Sequence, residues 1–375
     1  MKNVLFLITC MSIGGAEKVL IDIVNSLDKN KYNITVMLIY KSNIYGKDTF
    51  KYEDYFDKNI KVKYMCDNES KIMYRTFNRA LNRINNRFIH KLFIGDKYDI
   101  EIAFSEGLPT QIISSSTNKK SKKIAWLHTD SVNRTKGKNL DDIEKERIMY
   151  SKFTNIVAVS KDVAKSFNIV HKDLNRVTVS YNPININNIM MKAKENVKFY
   201  FGKYIKFICI GRLTEVKGYE RLIEVMYKLK KEGFKYRLLI IGGGELKDRL
   251  RALVEKYNLE DMVLLLGFNS NPYKYLYRSD VLICSSFVEG LSTVVLEAIS
   301  LNKPVITTKC NGMDEIFGGN KCGIICENNE EGLYVSIKKV LLNPDLIEQY
   351  SKNCKERAAE FEINKICLNI EKLID

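Results

Sequence analysis

Residues 285–300 read SSFVEGLSTVVLEAIS. They stand between two short apolar runs with strand character, Val281–Cys284 and Pro304–Thr307. Helical spacing runs from about Leu291 to Leu301, and Glu289-Gly290 falls in the loop before it. Strand, loop, helix and a second strand make the repeating unit of a parallel sheet. Glu289 and Glu297 are eight positions apart, the first in the loop and the second about two turns into the expected helix. Both can then face the carboxyl edge of the sheet, where open α/β sheets bind ligands. Gly290 lets a ligand approach the backbone, and the helix start offers free N–H groups to an anion. Two carboxylates beside an anion site suit a ligand with several hydroxyls and a phosphate, such as a sugar nucleotide.

The same alternation extends in both directions. Strand character is expected at Asn3–Thr9, Asn33–Tyr40, Ile60–Met65, Tyr98–Phe104, Lys123–Leu127, Asn155–Val159 and Val177–Tyr181. Asn182-Pro183 and the residues after it read as a linker, and the pattern restarts at Lys206–Ile210. Tyr236–Ile241, Met262–Leu266, Asp280–Cys284, Pro304–Thr307 and Gly323–Cys326 continue it, with helical patterns between them. The reading is two α/β doubly wound domains: residues 1–183, a linker at 184–203, residues 204–357, and a terminal helix at 358–375 that returns to the first domain.

Composition narrows the chemistry. The chain has 375 residues, 45% of them hydrophobic, and a formal net charge of +15. That charge favours an anionic partner: phosphorylated ligand, acidic lipid or nucleic acid. No basic platform interleaved with aromatics supports nucleic acid, so none is expected. Nine cysteines without a CxxC pair, several inside strands, argue against a disulfide framework or a metal site and for a reducing compartment. The opening MKNVLFLITC reads as a first strand rather than a leader, and no stretch reaches the roughly 18 apolar residues of a membrane span.

One segment differs in character. Within 71–96, Arg75, Arg79, Arg83, Arg87 and Lys91 recur every four residues, while Met73, Phe77, Leu81, Ile84, Phe88 and Leu92 form another stripe. Read as one helix, it is amphipathic with a basic back. Such a helix commonly packs its apolar stripe on a core; the scarcity of acidic partners here points instead to an anionic membrane surface.

Further site candidates close other strands. Gly14-Gly15 follows the first strand and opens a helix, a geometry that suits phosphate, although turns use glycine freely. His128 ends the fifth strand, where a polar site role competes with an ordinary structural one. Arg212 and Lys217, five apart around a turn, can converge on one diphosphate. Gly242-Gly243-Gly244 ends the next strand, but Lys247 stands where a dinucleotide fingerprint needs its third glycine, so NAD is not expected.

Taken together and in this order, Gly14-Gly15-Ala16-Glu17, His128, Gly211-Arg212 with Lys217-Gly218, Gly242–Glu245, Gly267-Phe268 with Asn271-Pro272, and Glu289-Gly290 through Glu297 resemble the family 4 retaining glycosyltransferases. The resemblance covers nearly the whole chain and implies the GT-B fold, two Rossmann-like domains facing a central cleft. It implies that Gly15 lines a donor diphosphate or acceptor pocket, that His128 holds the transferred sugar, and that Arg212 and Lys217 bind diphosphate. It further implies that Glu289 meets the reacting face of the sugar, that Glu297 binds the ribose diol, and that Gly243 and Phe268 lie near the nucleotide. Gly290, Leu291, Ser292 and Thr293 would meet phosphate; Ser292 stands where the family commonly has proline, a minor departure.

The wording is similar to enzymes of bacterial capsular or exopolysaccharide synthesis. The expected reaction is therefore sugar transfer with retention from a nucleoside diphosphate sugar, a UDP-sugar in the first instance. The implied acceptor is a saccharide on polyprenyl diphosphate, at the cytoplasmic face of the cell membrane, with no metal or other cofactor. A sugar-nucleotide epimerase of the same fold and a basic nucleic-acid binder are the alternatives. Acceptor contacts are expected in loops at Lys41–Asp57 and Asn133–Glu146.

Overall fold

In the computed structural model the described residues are 1–11, 14–41, 52–68, 70–172, 174, 176–197, 202–319 and 322–375. They form two compact units, residues 1–183 with 366–375, and residues 184–365.

The first unit holds a seven-stranded sheet. Its strands are β1 (Lys2–Ile8), β2 (Tyr32–Tyr40), β3 (Lys61–Cys66), β4 (Ile100–Ala103), β5 (Lys122–Leu127), β6 (Asn155–Ala158) and β7 (Val177–Val179). All neighbours are parallel, in the order β3-β2-β1-β4-β5-β6-β7. Val4 through Ile8 are all buried, as are the residues from Ile34 to Tyr40. Continuous apolar strands are what a parallel sheet covered on both faces requires. The second unit repeats the plan with β8 (Ile205–Ile210), β9 (Tyr236–Ile241), β10 (Val263–Gly267), β11 (Val281–Cys284), β12 (Val305–Thr308) and β13 (Gly323–Cys326). Its order is β10-β9-β8-β11-β12-β13, again all parallel. The helix Tyr219–Lys231 presents Leu222, Ile223, Met226 and Leu229 to its core.

Strand order reverses between β1 and β4 in one sheet and between β8 and β11 in the other. Loops leaving adjacent strands diverge at these switch points and open a crevice at the carboxyl edge. The loops concerned are those that carry Gly14-Gly15, Glu106, Gly211–Gly218 and Ser285–Ser292.

Four sequence expectations change. First, 71–96 is two helices, Lys71–Leu81 and Asn86–Phe93. Asn85 is extended, and its side chain accepts from Arg87 N at 2.9 Å; asparagine caps a helix better than it continues one. The break changes the phase. Ile89 and His90 face the core, where His90 Nε2 lies 3.1 Å from Glu101 Oε2 of β4. Phe88 and Leu92, expected on the apolar stripe, point outward. Second, 184–203 is not a linker throughout. The helix Ile186–Ala193 caps on Asn185, buries Ile189 and Ala193, and accepts from Asn271 Nδ2 at the Lys192 carbonyl (2.9 Å). Third, the terminal segment is divided. The helix Asp345–Ala358 and a short turn, Ala359–Phe361, lead to Glu362, which bridges Ile184, before the last helix, Ile363–Ile374. Fourth, 133–146 is ordered by the helix Leu140–Tyr150 and a bidentate pair, Arg134 to Glu146 at 3.0 and 2.8 Å. Residues 42–51 of the other expected acceptor loop, and residues 12–13 beside Gly14, lie outside the described residues.

Candidate functional site

The second unit carries the denser constellation. Past β11, Ser285 and Ser286 are buried and lead to Glu289. Glu289 Oε1 receives Lys217 Nζ at 2.6 Å and Ser286 Oγ at 2.6 Å. Burial works against the charge on Lys217, but the adjoining carboxylate outweighs it and holds the ammonium above its ordinary pKa. Two more bonds stitch the Lys217 turn to this loop: Ser285 Oγ donates to Lys217 O at 2.8 Å, and Phe287 N donates to Val216 O at 2.8 Å. Gly218 sits at φ 64°, and a Cβ there would overlap the Ser285 carbonyl, so only glycine lets the two loops close up. Lys217-Gly218 and Ser285–Glu289, 67 or more residues apart in sequence, are one local structure.

Arg212 is exposed near Lys217 and makes no side-chain hydrogen bond or ion pair among the described residues. Gly243 accepts from Leu213 N at 2.8 Å, and a Cβ on Gly242 would overlap the Gly211 carbonyl. The glycine run thus packs the turns after β8 and β9 against each other. Phe268 follows β10, and Gly242 N donates to Gly267 O at 2.9 Å. All of these residues lie at one sheet edge.

The helix after Gly290 begins later than its periodicity suggests, at Thr293, and ends at Ser300. Ser292 is its N-cap in extended conformation, with no side-chain cap bond. Leu291 and Ser292 are buried beside partly exposed Gly290 and Thr293. Glu297 is therefore the fifth helical residue, one turn in rather than two. It is buried, and Tyr273 OH lies 3.1 Å from its Oε1.

In the first unit Gly15 opens the helix Gly15–Ser26 after β1. His128, at the end of β5, is partly buried. Its Nε2 lies 2.9 Å from the Phe104 carbonyl, which can only accept, so Nε2 carries the proton and Nδ1 keeps its lone pair. Burial lowers its pKa, against the pull of Glu106; the ring is a neutral acceptor near pH 7. Glu106, unremarked in the sequence, accepts at Oε1 from His128 N (2.9 Å), Thr129 N (2.9 Å) and Thr129 Oγ1 (2.8 Å).

Arg75, Arg79, Arg83, Arg87 and Lys91 are all exposed. Among the described residues no group of three His, Cys, Asp or Glu side chains could hold a metal ion, and no helix is long and apolar enough to cross a membrane. Five partners escaped the sequence reading: Glu106, Ser286, Arg221, Tyr273 and Asn328. Ser286 stands three residues before Glu289, a turn spacing that hints at a bond; the others meet their partners only through the sheet.

Residues 191–359 match the family model described as Glycosyl transferases group 1. Among curated relatives, the N-acetylgalactosamine-N,N'-diacetylbacillosaminyl-diphospho-undecaprenol 4-alpha-N-acetylgalactosaminyltransferase of Campylobacter jejuni is 34% identical over 60% of this chain and 61% of its own length. An uncharacterized glycosyltransferase of Haemophilus influenzae is 24% identical over 96% of each chain. The chain thus spans only about three fifths of the first relative's length. Among solved structures, Anabaena Alr3699/HepE in complex with UDP and glucose superposes with a TM-score of 0.77 at 17% identity, covering 100% of this chain and 99% of that one. Sucrose-phosphate synthase of Thermosynechococcus elongatus gives 0.78 at 15% identity, covering 100% and 98%. Over residues 191–359 the chain is thus similar to the glycosyltransferases of group 1, and its two Rossmann-like units have the GT-B fold.

Proposed function

We propose that the chain transfers a sugar, with retention of anomeric configuration, from a nucleoside diphosphate sugar to a saccharide on a polyprenyl diphosphate. The observation that carries this reading is the convergence of Lys217 Nζ and Ser286 Oγ on Glu289 Oε1, beside the start of the helix Thr293–Ser300. A cation, a carboxylate and free backbone N–H groups meet there at one sheet edge. Lys217, Arg212 and the N–H groups after Ser292 offset the charge of the leaving diphosphate. On donor binding Lys217 exchanges its carboxylate for phosphate, which frees Glu289 for the sugar. Glu297, held by Tyr273, takes the ribose hydroxyls. His128 Nδ1 accepts from a hydroxyl of the transferred sugar, and Gly15 presents backbone to the reacting groups. The C1–O bond to phosphate breaks, the acceptor oxygen bonds C1 on the same face, and its proton passes to the departing phosphate oxygen. No metal is given a role.

The lipid-linked acceptor rests on the relative from Campylobacter jejuni, whose name includes a diphospho-undecaprenol. A UDP donor is favoured because UDP is bound in the Anabaena structure. An acceptor on polyprenyl diphosphate places the protein peripherally on the cytoplasmic face of the membrane.

Nucleoside diphosphate release should be measured against a panel of nucleotide sugars, without added metal. Glu289→Gln should lower turnover roughly 100-fold while changing nucleotide affinity less than about threefold. Equal losses in both would contradict the assigned role, and conversion of donor to an epimer without acceptor would replace transfer by epimerisation.

A further inference from the structure

Arg221 lies one turn beyond Lys217-Gly218, on the helix Tyr219–Lys231, and is 7% exposed. Its guanidinium makes no ion pair with a carboxylate among the described residues. It is spent on carbonyl groups instead. Nε and Nη2 donate to Ser285 O at 3.2 and 2.6 Å, and Nη2 also donates to Ser286 O at 3.1 Å. The Asn328 carbonyl accepts from Nη1 at 3.3 Å, and Asn328 Oδ1 accepts from Nη2 at 2.7 Å. The ring of Phe287, itself exposed, lies 3.7 Å from Cζ. Asn328 completes the clasp: its Nδ2 donates to Phe287 O at 2.9 Å and Lys309 O at 3.2 Å. One cation and one amide thereby tie together the segments that follow β11, β12 and β13.

A buried charge with no carboxylate in contact and only the longer-range pull of Glu330 is costly, and an apolar side chain at this place would pack more cheaply. Stability alone therefore accounts poorly for Arg221. What it secures is the backbone of Ser285–Phe287, two residues ahead of Glu289 and five ahead of the Ser292 cap. A planar fork can hold several carbonyl oxygens at fixed angles, which the point charge of lysine cannot. Displacement of a reacting group by about 1 Å can cost on the order of 100-fold in rate.

We propose that Arg221 is a positioning residue for sugar transfer: with Asn328, it clamps the Ser285–Phe287 backbone so that Glu289 and the Ser292–Thr293 helix start keep their reacting geometry. This rests on the transferase reading above.

The test compares wild type with Arg221→Met, Arg221→Lys and Asn328→Ala in the full chain. Three readouts are taken: nucleoside diphosphate release at saturating donor, UDP affinity by calorimetry, and amide hydrogen exchange at 285–291. Arg221→Met and Arg221→Lys should each lower turnover roughly 10- to 100-fold, with the UDP Kd changed less than about threefold. Exchange at 287–291 should rise about tenfold or more while β8 is unchanged. Asn328→Ala, which leaves no buried charge stranded, should move turnover and exchange the same way by roughly three- to tenfold.

A folded Arg221→Met enzyme with wild-type turnover overturns the proposal, as does a turnover loss matched by an equal loss of UDP affinity. Should the Arg221 variants fail to fold, wild-type turnover and exchange in Asn328→Ala overturn it instead. Absence of nucleotide release by wild type with every donor refutes the transferase reading separately. The exchange readout then still decides whether Arg221 clamps the loop.

Discussion

His171 carries its ring into the core of the first unit, fully buried, with neither nitrogen hydrogen-bonded. Phe167 and Tyr150 flank it at ring-centroid distances of 4.7 and 5.3 Å, and Glu146 Oε2 lies 3.7 Å from Nε2. Burial pushes its pKa down to about 4, only partly opposed by Glu146. The folded protein then keeps the ring neutral where the unfolded chain, with an ordinary value near 6.5, takes up a proton. Stability from this residue is present above pH 6.5 and drains away as pH falls towards 4, by up to about 3 kcal/mol. His171→Phe should flatten that part of a melting-temperature profile between pH 7 and pH 4. An acid profile identical to wild type would show that His171 is not its source. Lys217 shows the opposite case, a partly buried cation kept charged by its carboxylate neighbour.

At the scale of elements, the two helices Lys71–Leu81 and Asn86–Phe93 depart most from the simple periodic reading. Along them and in the break at 82–85, Ile72, Ile84, Phe88 and Leu92 are exposed at 75%, 42%, 59% and 64%, with Met73 also outside. Exposed Arg75, Arg79, Arg87 and Lys91 share these helices, and exposed Arg83 lies in the break between them. Apolar side chains beside a basic set form the surface expected of a segment lying in an anionic lipid interface. This supports a membrane-held acceptor for the proposed reaction and changes which side chains should enter the bilayer. Phe88→Glu with Leu92→Glu should abolish co-sedimentation with vesicles containing about one third phosphatidylserine, at any salt concentration. Arg79→Glu with Arg83→Glu and Arg87→Glu should weaken it, chiefly at low salt. Unchanged sedimentation of both variants would remove the membrane from the model of function.

For the whole molecule, the division into units has a chemical consequence at the tail. Residues 366–375 belong to the first unit although the chain enters them from the second. Ile366, Ile370 and Ile374 are buried at 5%, 0% and 1% exposure, Glu371 accepts from Asp28 N at 3.1 Å, and Lys31 pairs with Glu371 at 3.0 Å. The exposed Lys2–Asp375 pair adds little. Each buried isoleucine contributes on the order of 1.5–3 kcal/mol. Deleting 366–375 should therefore move the unfolding transition of the first unit to clearly lower urea, leaving that of the second in place. Coincident shifts of both transitions would mean the units unfold as one.

Elements whose information is local were legible in the amino-acid order. Among the described residues each expected run became a strand; the central ones are apolar because they are buried on both faces, while the edge strands β3 and β7 keep exposed positions. The placement of Arg212, Lys217, Glu289 and Glu297 after strands was legible for the same reason: loops that follow parallel strands share one edge. Periodicity alone could not place the helix break at 82–85, since capping by Asn85 competes with a stripe that continues across it. Nor could it separate the helix Ile186–Ala193 from a linker, because its packing partners lie about 80 residues away. The pairings came only with the assembled sheets: Lys217 with Glu289, Glu106 with the His128 turn, Tyr273 with Glu297, and Arg221 with the loops after β11 and β13. Those contacts are set by strand order, and strand order follows from how a whole sheet packs rather than from any stretch within it.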